Sequence, residues 1–150
     1  MRFVLVAAVL VALPAAAVAS AQLERGSATI ATRAGAPVVV QVEIARTRTE
    51  RRRGLMYRRS LPAKAGMVFV YPQDVRGGFW MKDTLIPLDI AFYGAGGQIR
   101  RILTMQPCRA DPCRVYEAGV AYRAALEVNA GSFRRWKVRA GDRITVRPRR

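Results

Sequence analysis

Long helical periods are missing from this chain; what recurs is a short alternating run, closed each time by glycine, proline or a polar turn. In PVVVQVEIA, Val38, Val40, Val42 and Ile44 fall on one side of an extended segment, and Val39, Gln41 and Glu43 on the other. Further runs of the same kind follow at GMVFVY, GFWMK, LDIAFY, QIRRILTM, YRAALEVN and DRITVRP. The glycine-rich GAGGQ predicts a hairpin between LDIAFY and QIRRILTM. Two helical signals interrupt the series. Thr47-Arg48-Thr49-Glu50 has the form of a capping box and predicts a helix running to about Arg58, with Leu55 and Met56 facing the core, until Ser60-Leu61-Pro62 breaks it. Ser132 is placed to cap a short amphipathic turn through Val138. Many short strands with turns between them predict a mainly β protein: a single compact β-sandwich or jelly-roll-like barrel with one or two short helices.

The first residues read as a secretory signal peptide: Arg2, an apolar run, then Ala19-Ser20-Ala21 as a small-residue cleavage site. The run falls short of the ~20 apolar residues that span a bilayer and contains Pro14. The expected organisation is a signal peptide over residues 1–21 and a single domain over 22–150, periplasmic or secreted, with no transmembrane segment after cleavage. The net charge is +16, and Arg2 is the one charge that cleavage removes. Such a field favours anionic partners. The basic residues are scattered and no aromatic-basic signature accompanies them, so specific nucleic-acid binding is not expected. The chain has no histidine. That removes Ser-His and Cys-His nucleophile systems together with the commonest zinc ligand.

Strand alternation singles out a candidate site. In GFWMK, Trp80 and Lys82 lie opposite Phe79 and Met81; in LDIAFY, Asp89 lies opposite Leu88, Ile90 and Phe92. Glu43 and Glu127 likewise oppose apolar rows, and with Asp89 they are three of only ten acids. Glu43, Trp80, Lys82, Asp89 and Glu127 are therefore expected to form a carboxylate-rich patch with an aromatic floor, suited to a small ligand such as a sugar. Two other readings use the same residues: a solvated sheet face held by cross-strand pairs such as Lys82 with Asp89, or a pair of carboxylates running acid/base hydrolysis. Cys108 and Cys113, on either side of the turn in PCRADPC, are expected to form a structural disulfide in an oxidising compartment. Two thiolates cannot close a structural zinc site, and Met56, Met67, Met81 and Met105 read as core filler rather than copper ligands. No metal or cofactor is expected.

The blocks ERRRGLMYR (50–58), GMVFVY (66–71), FWMKDTLIPLDIAFY (79–93), PCRADPC (107–113), ALEVNAG (125–131) and the late Gly141-Asp142 resemble, in order, the family of uncharacterised proteins called domain of unknown function 192. The resemblance covers nearly all of the chain after residue 21. It implies a compact mainly-β domain, sandwich- or jelly-roll-like, often exported after a signal peptide. It assigns no catalytic residue, because the family has no established activity. The family commonly shows Asn where this chain has Asp83, an exchange that a turn hydrogen bond tolerates.

The expectation is thus a non-enzymatic exported β-domain that binds a small or polymeric ligand of the cell envelope, anionic or sugar-like, through the patch above. A carboxylate-dependent hydrolase on the same face is the first alternative. The second is a basic protein that associates with anionic membrane or wall polymer through its surface charge.

Overall fold

The computed structural model describes residues 22–149; the predicted signal peptide lies outside the described residues. Nine strands and two short helices follow one another. They are β1 (Glu24–Ala31), β2 (Val38–Ala45), α1 (Arg48–Arg53), β3 (Ala65–Val75), β4 (Gly78–Trp80), β5 (Leu88–Tyr93), β6 (Ile99–Met105), β7 (Val115–Glu117), β8 (Tyr122–Asn129), α2 (Ser132–Arg135) and β9 (Arg143–Pro148). Seven strands form one mixed sheet in the order β6-β5-β8-β3-β2-β1-β9, and β4 pairs with β7 in a separate small sheet. All pairings are antiparallel except β2 with β3, whose crossover runs through α1. No helix of the described residues is long and apolar enough to cross a membrane.

The large sheet curls until its edge strands meet at one end. Gln98 bridges Arg143, the Ile99 amide donates to the Asp142 carbonyl at 2.8 Å, and the Ile144 amide donates to the Gly97 carbonyl at 2.9 Å. No ladder joins β6 to β9, so the sheet is not a closed barrel. Its inner face buries Val40, Val42, Ile44, Val68, Leu126 and Val128 with Phe133 of α2. Its outer face buries Met67, Phe69, Leu88, Ile90, Phe92 and Met105, covered by Leu55, Met81 and the small sheet. Because β5 is covered on both sides, all six of its residues are buried.

The capping box forms as the sequence predicts: Thr47 Oγ1 accepts from the Glu50 amide and the Glu50 carboxylate accepts from the Thr47 amide. The helix is shorter than predicted. It ends at Arg53, where Gly54 takes φ 47° and a Cβ would come within 3.3 Å of the Phe69 ring, and an irregular segment then runs to Pro62. Leu55 is buried and Met56 half-buried. Ser132 does not cap α2. The N-cap is Gly131, which offers no side chain, and Ser132 itself is buried in the first turn. The sequence also hides β7, a three-residue strand too short to show alternation.

Candidate functional site

Alternation places Glu43, Trp80, Asp89 and Glu127 on the expected sides of their own strands, but β4 ends at Trp80 and leaves Lys82 in the turn beyond it, and curling and covering separate the five. Asp89 lies on the inner face, in register with Val128. It is 3% exposed and accepts from Thr104 Oγ1 at 2.7 Å and from the Phe133 amide at 3.4 Å. It supplies from outside the cap that Gly131 cannot give α2. Lys82 does not reach it; the Lys82 ammonium bonds Asp111 in the disulfide loop at 3.0 Å. That overturns the reading in which Lys82 pairs with Asp89 across strands and the one in which Trp80, Lys82 and Asp89 share a site: β4 is in a separate sheet from β5, Asp89 serves the interior and Lys82 the surface.

Glu43 and Glu127 share a row on the outer face. Met67 is the register partner of both, Glu43 across β2–β3 and Glu127 across β3–β8, so strand spacing sets the two acids about 10 Å apart. Glu127 is 4% exposed, and among the described residues no ion pair reaches it. Burial pushes its carboxyl up to about 8, so it is mostly protonated at neutral pH. Glu43 is half-buried and ion-paired to Arg58. The segment from Gly54 to Pro62 crosses the face between them. Arg58 ties it to Glu43, Leu55 plugs it into the outer core, and the Asn129 side-chain amide donates to the Leu61 and Pro62 carbonyls at 2.8 and 3.3 Å.

Trp80 ends β4, opposite Val115 of β7. It is 43% exposed, a large apolar area to leave in water. With Val115, Tyr71 and Phe79 it lines one wall of an open cleft of about 400 Å3; Arg48, Arg51 and Arg52 of α1 line the other. Arg51 is fixed: its guanidinium lies 4.6 Å from the Tyr71 ring centroid and donates to the Val70 carbonyl. Among the described residues, no salt bridge engages Arg48 or Arg52. The sequence reading missed these arginines as site residues. Their signal was present, since positions 48, 51 and 52 fall on one face of a capped helix. A roomier hollow of about 710 Å3 beside Leu23 has Glu50 in its lining, and that carboxylate is committed to the capping box.

Cys108 and Cys113 form the expected disulfide, Cα to Cα 5.5 Å. Asp111 lies between them, the three side chains making a potential metal-ligand group among the described residues, but both sulfurs are consumed by the disulfide and the carboxylate by Lys82. Met67, Met81 and Met105 are fully buried in the outer core.

Residues 29–146 match the model of the family DUF192 (Uncharacterized ACR, COG1430), and the chain belongs to that family. The fold is similar to a protein of Sinorhizobium meliloti 1021 provisionally named a transcription regulator, with a TM-score of 0.79 and 30% identity over 85% of this chain and 97% of that one. It is also similar to a protein of unknown function from Novosphingobium aromaticivorans DSM 12444, with a TM-score of 0.73 and 32% identity over 89% and 93% of the two chains. Among curated proteins none matches this chain.

Several residues of the family blocks have structural work here. A Cβ on Gly66 would meet the Glu127 carbonyl at 2.4 Å. Asp83 has φ 54°, a left-handed conformation in which Asn and Asp are the commonest non-glycine residues, so the Asn-to-Asp exchange follows from backbone shape. Asp142 accepts from the amides of Arg33 and Arg139 at 3.1 and 2.9 Å, tying the β1–β2 loop to the start of β9.

Proposed function

We propose that this protein is an exported binding domain, residues 22–150 after cleavage behind Ala21, and that it holds an acidic sugar polymer of the cell envelope in the cleft between α1 and the β4–β7 sheet. The observation that carries the reading is the exposed Trp80 indole facing arginines that no salt bridge engages. An indole face stacks on the apolar face of a sugar ring, and a guanidinium fork matches a carboxylate. An open trough suits a chain passing through better than a small molecule enclosed on all sides. The positive excess of the whole chain adds long-range attraction to the same class of ligand. Binding is favoured over hydrolysis because the two outer-face acids share no cleft: Arg58 engages Glu43, and Glu127 is buried.

Calorimetric titration with polygalacturonate tests this. Arg48→Gln/Arg52→Gln and Trp80→Ala should each weaken binding at least tenfold with little change in thermal midpoint, because the side chains are exposed. Parental affinity in both variants contradicts the proposal. Binding that follows net charge alone, and phosphatidylglycerol vesicles as readily as polygalacturonate, favours the surface-charge reading instead.

A further inference from the structure

The row that carries Glu127 and Glu43 continues away from the buried end. Arg25 of β1 is the register partner of Glu43, and the amide of Arg149, just beyond β9, donates to the Arg25 carbonyl at 2.7 Å. Arg25, Glu43, Arg58 and Arg149 line a cleft of about 490 Å3 whose further wall is Leu61-Pro62. It lies where the covering of the outer face stops, so its polar groups stand open beside a face that is buried over β3, β8 and β5.

Its charge is unbalanced. Three guanidinium groups meet one carboxylate, which leaves two positive charges uncompensated, and among the described residues no salt bridge engages Arg25 or Arg149. Adjacent strands put neighbouring side chains of the row about 5 Å apart, close enough to converge on one small group but not on two well-separated charges. Arginine matches phosphate oxygens in pairs, and a compact dianion would cancel the excess. We propose that this cleft is a second anion site, separate from the Trp80 cleft, that binds a dianionic phosphate group. Glu43 holds Arg58 in place while the site is empty and repels the incoming dianion, so it moderates the affinity.

Titration of the purified protein with inorganic phosphate at low ionic strength, followed by calorimetry, reads this directly. Arg25→Gln/Arg149→Gln should weaken phosphate binding tenfold or more. Glu43→Gln should tighten it, and Arg48→Gln/Arg52→Gln should leave it unchanged. A parallel arm with vesicles of phosphatidic acid against neutral phosphatidylcholine distinguishes the source of the group. Binding of free phosphate and of phosphatidic acid supports a site that reads phosphate wherever it is carried. Binding of the vesicles alone, lost in Arg25→Gln/Arg149→Gln, supports a lipid headgroup. Failure to bind either, or binding indifferent to the Arg25/Arg149 change, overturns the proposal.

Discussion

Glu43 and Glu127 occupy one row of one sheet face with Met67 between them, yet they live in different solvents. At the open end, Glu43 stays partly exposed, with an arginine partner and a cationic cleft. Two strands further in, Glu127 sits against Met67 and Ile90, and its carboxyl is pushed up to about 8. The strands are the same kind; what differs is the cover. The Gly54–Pro62 segment and the β4–β7 sheet close the face over β3, β8, β5 and the Ala45 end of β2, and leave Val39, Gln41 and Glu43 of β2 and the outer side of β1 more open. Alternation fixes which side of a strand a residue takes, and only the chain that packs on that side decides whether the residue can meet a ligand.

The largest effect that sharpens this contrast is expected at Glu127. In the native state its carboxyl holds a proton up to about pH 8, whereas in the unfolded chain it releases it near its ordinary value of 4.5. Between those values the native state binds more protons, so stability falls as pH rises through the window, by on the order of 5 kcal/mol from this group. Glu127→Gln should remove that slope and stabilise the protein at pH 8 and above, read from urea unfolding between pH 5 and 9. Equal slopes in the two proteins would mean that the Glu127 carboxyl is not held in its protonated form by burial. At the open end the effect should be much smaller. Glu43→Gln removes a partly exposed ion pair and should change stability by no more than about 1 kcal/mol at pH 7. A loss of several kcal/mol would mean that the Arg58 tie, rather than Leu55 and the Asn129 bonds, holds the Gly54–Pro62 segment in place.

Much of the fold is legible in the sequence because its local rules act over a few residues. The alternation of Val38 to Ile44 and of Leu88 to Phe92, the Thr47 capping box and the hairpin at GAGGQ all need only neighbours to form. The candidate site is less legible because it depends on pairings between distant segments. That β2 runs parallel to β3, bringing Glu43 and Glu127 to the same Met67, cannot be read from either strand alone. Nor can the burial of Asp89, whose partners Thr104 and Phe133 come from β6 and α2. Four charged residues and a tryptophan opposite apolar rows therefore look alike in sequence and divide in space into an inner helix cap, a buried acid, a surface pair and two separate clefts.

The Trp80 indole can itself report whether the cleft beside it binds an acidic polymer. Trp80 and Trp136 are the protein's two tryptophans; Trp136 packs against the Phe133 ring, so Trp136→Phe leaves Trp80 as the single tryptophan, excited apart from the tyrosines at long wavelength, with little disturbance. On titration with polygalacturonate, Trp80 emission should shift to the blue and lose its accessibility to iodide at saturation, and both changes should vanish in Arg48→Gln/Arg52→Gln. Emission and iodide quenching that stay constant while calorimetry records binding would contradict the account, because the polymer would then be held somewhere else.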